Sequence, residues 1–383
     1  MSFGVFLDYY STLPEFEGNT NIALIGTLAQ GLYYLGAPLA AASTKRFPKY
    51  QRQQIWLGWP LCILGLLLGS YTNSVGGLIA TQGVMYGVGF VTLTYPIISM
   101  VNEWWIARKG MAFGLLSASS GATGVFMPFI IEAMLQRYGY KITLRATAIA
   151  MAIITGPLIP FLHGRLPPAE RSTTARTNWS FLTKPLFWIY CSSTLIQGLG
   201  FFFPSLYLPS YATAIGLERK QGALLLAIMS IAQVLGQLAF GYVSDKRISV
   251  STLAVCCSIA STVATFGLWG MAKSRVLLLI FSLIYGFFGF GFGTMRVAMG
   301  RTVSGDPSAA MATYAILVFL QGVGNVLVGP IGTGLIRKDV RVYEYGILRY
   351  KALIGFTGAC MFVSALIIGL WHLRPRKTML RSA

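Results

Sequence analysis

Acidic side chains are scarce in this sequence: 11 Asp and Glu stand against 30 Lys and Arg in 383 residues. Charged residues of both signs make up only 11% of the chain, against about a quarter in an average soluble domain. Histidine is nearly missing, with only His163 and His372, both near segment ends. The five cysteines, Cys62, Cys191, Cys256, Cys257 and Cys360, all sit inside apolar runs without ligand spacing. These shortages exclude a metal centre and leave the cysteines as small packing residues. No carboxylate pair is spaced for acid/base work, and no glycine-rich phosphate loop follows a strand. An enzyme is therefore not expected, nor a cofactor. No ring of like residues or filter segment points to a channel.

The acid shortage leaves a formal net charge of +19. Such a balance can mark a nucleic-acid binder, but the basic residues here lie in short loops between long apolar runs. In that setting positive charge reports orientation in a membrane, so nucleic acid is not an expected partner. What is abundant is apolar: 55% of residues are hydrophobic and mean hydropathy is +0.64. A surface this apolar takes the lipid bilayer as its solvent. No signal peptide is expected, since Met1 opens on an apolar scrap followed by the acidic stretch Asp8 to Glu17.

A spanning helix needs about 20 largely apolar residues. Eleven stretches qualify: Ile22–Ala42, Ile55–Ser70, Leu78–Met100, Met111–Met134, Leu144–Leu162, Leu186–Ala212, Gln221–Tyr242, Val250–Met271, Val276–Met299, Ala310–Leu335 and Ala352–His372. Ile55–Ser70 is short and is expected to extend at both ends. The Pro-, Thr- and Arg-rich segment 163–184 reads as a solvated linker. It divides an N-terminal bundle (1–162), with an incomplete first helix, from a C-terminal bundle (185–383). With Thr44–Gln54 in the cytosol, 18 of the 30 basic residues fall inside and 12 outside. This predicts a multi-pass protein with a cytosolic C-terminus, in the plasma membrane or else an internal one. The Asn178-Trp-Ser180 sequon then stays cytosolic. The halves look duplicated: Lys45-Arg46 recurs as Lys246-Arg247, Gly121 as Gly322, and Tyr86-Gly87 as Tyr285-Gly286.

Three segments resemble the major facilitator superfamily, and within it the monocarboxylate-transporter-like branch common in fungi. They are Ser2 to Tyr10, the run Trp104-Trp105-Ile-Ala-Arg108-Lys109-Gly110 through Gly114 to Gly124, and Gly236 through Gly241 to Asp245-Lys246-Arg247. The resemblance implies an all-α membrane protein with two helical bundles and about 11 transmembrane helices here. It also implies alternating-access transport of a small organic solute, a monocarboxylate-like anion or a fungal metabolite. Family members have twelve helices, whereas Met1–Leu7 is too short to span, so either the sequence is truncated or the protein is expected to lack most of that helix. Thr44 occupies the acidic position in the first-half copy of the loop motif; Asp245 keeps it in the second.

Asp245 with Lys246 and Arg247, and Arg108 with Lys109, are the candidate gating residues. A carboxylate at a helix end can take hydrogen bonds in one state and release them in the other. Arg296 is the most pointed polar residue inside an apolar run. It either contacts an anionic solute or snorkels to the cytosolic interface. Gln30, Tyr33, Gln82, Tyr86, Gln197, Gln233, Gln321 and Asn325 lie on helices that line the cavity by resemblance. Each either meets substrate or hydrogen-bonds another helix. Only Glu132 and Glu103 approach the apolar zone, so proton coupling lacks support. The competing reading is a carrier-derived membrane sensor, or an inactive remnant without its first helix.

Overall fold

The computed structural model describes residues 3–11, 13–16, 21–105, 108–165, 178–246, 248–336 and 347–373. Its elements, in chain order, are α1 (Phe3–Ser11), α2 (Ile22–Leu35), α3 (Ala37–Arg46) and α4 (Gln51–Gly69). Next come α5 (Val75–Trp104), α6 (Lys109–Thr155), α7 (Pro185–Ala214) and α8 (Arg219–Ser244). The chain continues with α9 (Val250–Trp269), α10 (Arg275–Val303), α11 (Pro307–Leu335) and α12 (Leu348–Leu373).

The labels do not correspond one to one with straight rods. Gly36 interrupts α2 and α3 without turning them apart, so together they form one rod. In α6, Gly139 takes φ 76°, a left-handed value that suits glycine. The helix folds back there. Ile131 and Leu135 on one side of the bend share a core cluster with Tyr140, Leu144 and Ala148 on the other. Beyond the bend, Arg145 donates to Ser70 at the end of α4, while Thr155 meets Trp59 nearer its start. The second arm of α6 therefore runs antiparallel to α4. Counting α2–α3 once and α6 twice, the described residues hold eleven long rods, in line with the eleven apolar stretches. Among the described residues eight helices, α6 counted once, are long and apolar enough to cross a membrane.

The expected extension of Ile55–Ser70 occurs only at its start. Helix α4 begins at Gln51 and stops at Gly69, because Ser70 and Thr72 turn their hydroxyls back onto Leu67 and Gly69 carbonyls.

The repeat read in the sequence has a geometric counterpart. Gly87 of α5 lies against the Ala29 backbone of α2; Gly286 of α10 lies against the Met229 backbone of α8. Ser74 and Ser274, at matching places in the two halves, both cap the helix that follows by accepting a backbone N–H one turn on. Exposed Trp56, Trp104, Trp105, Trp179 and Trp188 gather at helix ends on one face of the bundle, as an interfacial aromatic belt requires. That face also carries Lys45, Gly110 and Asp245, and is called the Asp245 face below. Ile142, Ile149, Ile153 and Ile154 project outward from the second arm of α6. Such a surface suits lipid.

Candidate functional site

At the Asp245 face the two halves are tied by a pair of related contacts. Asp245 follows the last turn of α8, and its carboxylate accepts the Gly110 N–H at 3.0 Å and the Met111 N–H at 2.8 Å. These are unpaired donors at the start of α6, where the helix dipole favours an anion. Arg301 of α10 donates to the same carboxylate at 2.9 Å. The other candidate gating residues are placed as follows around this contact. Lys246 turns back over the Tyr242 ring at 4.7 Å, Arg108 is exposed and Lys109 half-buried, and Arg247 lies outside the described residues. Nothing in the sequence marked Arg301, which reaches Asp245 only through the fold.

The first-half copy of this contact has its charges arranged differently. Thr44, in the acid's place, is buried and donates to Gln54 Oε1 at 3.1 Å. The next residue, Lys45, donates to Ser308 Oγ at the start of α11. There the acid belongs to the receiving helix: Asp306 caps it, accepting the Ser308 and Ala309 N–H groups at 3.2 Å each, and attracts Lys45. Gly110, which meets Asp245, and Ser308, which meets Lys45, hold matching places at the starts of α6 and α11.

Away from this face the halves meet through small residues. Gly114 of α6 leaves room for the Gln237 carbonyl of α8, 2.7 Å from where a Cβ would sit. Gly121 seats Val234 of α8, and Gly322 of α11 seats Tyr34 of α2. The pair Gly121 and Gly322 singled out in the sequence thus occupies the two matching seams.

Between the seams lies a polar interior with few partners. Helix α10 breaks at Met295, after a run of glycines, and restarts at Arg296. The Arg296 side chain is only 7% exposed and Nε has no hydrogen-bond partner. It turns into the protein rather than out to the interface. Its electrostatic neighbours are Tyr34, Tyr314, Tyr33 and Tyr95, from α2, α5 and α11, and the Tyr95 hydroxyl is also unpartnered. Tyr33 packs at 4.9 Å on Tyr34 and on Phe90, and at 6.2 Å on Tyr95.

Gln197, Gln321 and Asn325 meet where α7 crosses α11, at the close approach of Gly198 to Gln321 and Gly324. All three are buried with side-chain oxygens unpaired. Gln233 faces Gly121 across the α6–α8 seam, and its Oε1 is also unpaired. Gln237, one turn along, is buried with Oε1 unpaired too. The remaining candidates have other surroundings. Gln82 is taken up by the Tyr10 hydroxyl at 3.0 Å, Tyr86 stacks on Phe90 at 6.1 Å, and Gln30 is exposed. Glu132 accepts from Gln136 one turn on. Tyr34, Tyr95 and Tyr314 were not singled out in the sequence, where 19 tyrosines give no sign of which converge on one arginine.

Known proteins share this architecture. The chain is 23% identical to the Fujikurins efflux protein of Gibberella fujikuroi, over all of this chain and 80% of that one. It is 24% identical to Monocarboxylate transporter 12 of Xenopus laevis, over 86% of this chain and 77% of that one. The crystal structure of the human organic anion transporter MFSD10 (TETRAN) superposes with a TM-score of 0.64 at 12% identity, covering 96% of this chain and 89% of that one. This likeness concerns the fold. The model of the Major Facilitator Superfamily matches residues 1–329 and again 190–383. The chain belongs to the Major Facilitator Superfamily.

Proposed function

We propose that this chain moves a small organic solute, a monocarboxylate-like anion or a secreted metabolite, across a membrane by alternating access. The observation that carries this reading is Arg296, a buried cation with no ion pair among the described residues. A charge taken out of water and left unpaired is costly, and an anion that arrives and departs offsets that cost. The unpaired amides of Gln197, Gln233, Gln321 and Asn325 support the same reading, because a solute can supply the missing hydrogen bonds. The names of two relatives, one an efflux protein and one a monocarboxylate transporter, are compatible with it.

The bias of basic residues argues for a cytosolic Asp245 face, with residues 1–162 and 185–383 as the two moving bundles. The plasma membrane is the proposed location. In the conformation described here the gate is then shut toward the cytosol by Asp245 and Lys45, and solute enters from the opposite face. Transport requires both contacts to part.

Uptake into proteoliposomes of a panel of organic anions, with neutral solutes of equal size, tests the proposal. Saturable uptake is expected for at least one anion. Asp245→Ala is expected to cut that uptake while the amount of protein in the membrane is unchanged. A panel in which no solute outpaces protein-free vesicles would reject it.

A further inference from the structure

Arg296 and its surroundings constrain what the solute looks like, granted that Arg296 receives one as proposed above. Three features matter together. The arginine is more than nine-tenths buried and lacks a carboxylate partner among the described residues. Its electrostatic neighbours are all tyrosines, with no second Lys, Arg or His among them. Its surroundings extend as an aromatic wall on both sides: Tyr33 against Phe90 and Tyr95, and Tyr34 against Phe202, which packs at 4.7 Å on Phe201.

One guanidinium balances one negative charge, and its fork fits a planar carboxylate or enolate edge. A second charge on the solute would meet phenol rings and no cation. The unpaired Tyr95 hydroxyl supplies a further donor to the same anion. The ring faces and edges of the wall favour a flat, conjugated body over a saturated or very small one. From this geometry we infer that the solute class is a planar conjugated organic monoanion, an aromatic carboxylate or a stabilised enolate, held by Arg296 and Tyr95 between tyrosine rings. The site discriminates against dianions, against neutral amides of the same shape, and against small aliphatic acids.

Four probes of matched chemistry test this: benzoate, acetate, phthalate and benzamide. Their binding to detergent-solubilised protein is read by thermal shift, and their competition against flux is read in proteoliposomes. Benzoate is expected to bind more tightly than acetate by roughly three- to ten-fold, the range an aromatic contact contributes. Phthalate and benzamide are expected to bind more weakly than benzoate. Arg296→Gln is expected to weaken benzoate by about ten-fold or more, and Arg296→Lys by less. Tyr95→Phe should weaken both carboxylates and keep the preference for benzoate.

Equal affinity for acetate and benzoate overturns the planar class while leaving the transport reading intact. Benzoate affinity that is indifferent to Arg296→Gln, in a variant whose melting profile matches the parent, overturns the assignment to Arg296. Absence of both binding and flux across the whole panel overturns the transport reading with it.

Discussion

A hydrogen in place of a side chain decides several contacts in this protein. Gly236 of α8 lies so close to the Phe287 carbonyl of α10 that a Cβ there would collide with backbone. Gly334, late in α11, faces open space. Overpacking a helix seam costs about 1–3 kcal/mol. Gly236→Ala should therefore lower the melting temperature of the purified protein by several degrees, whereas Gly334→Ala leaves it within error. Equal melting of the two would mean that the α8–α10 packing described here is wrong. At this scale the sequence was only partly legible. The buried amides and Arg296 stood out because polar groups in apolar runs are few. For Gln82 the structure shows the second of its two open readings, a hydrogen bond to another helix, from Tyr10 of α1, 72 residues away. Of the tyrosines around Arg296, Tyr33 was a candidate, whereas Tyr34, Tyr95 and Tyr314 were invisible, since convergence of α2, α5 and α11 is a property of the fold.

Helix ends carry the proposed gate. Asp245 ties α8 to the start of α6, and Lys45 ties α3 to the start of α11, so the two halves hold each other twice. The first tie presents an anion to bare N–H groups; the second presents a cation to a helix whose N–H groups Asp306 already occupies. Hydrogen bonds to charged groups contribute about 1.5–3 kcal/mol, and Arg301, more exposed, adds less because water screens it. Asp245→Ala is thus expected to shift the gate further than Lys45→Ala, and the double variant to exceed either. Outward-to-inward exchange, measured as the rate of solute counterflow in proteoliposomes, checks the ranking. The reverse order would show that the α3–α11 tie dominates. The loop acid of the second half was legible from its motif, and Thr44 in the first half flagged a departure. What replaced the missing acid was not legible, because Asp306 belongs to the opposite half of the chain and reads as an ordinary helix cap.

Across the whole molecule, the residue pairs that recur between the halves explain why so much of the architecture was readable. Spacing of apolar runs located the rods, and recurrence of Tyr-Gly and of Gly121 as Gly322 located equivalent seams. The α6 bend was expected from two separate apolar stretches and is marked by Gly139 alone. Relative placement of the halves was not readable, since seam contacts join residues far apart along the chain. The central claim is that the Asp245 face is a closed gate between two halves that part during transport.

Accessibility of a single cysteine tests that claim most directly. Gln237 is buried in the seam beside Gly114, on the Asp245 side of the membrane-embedded contact. With the five native cysteines replaced by serine or alanine, Gln237→Cys is exposed to a membrane-impermeant maleimide applied from the Asp245 face. The account predicts slow labelling, accelerated about ten-fold or more when Asp245→Ala is added, as loss of charge-assisted hydrogen bonds requires. Labelling that is already fast, or a rate indifferent to Asp245, would contradict it.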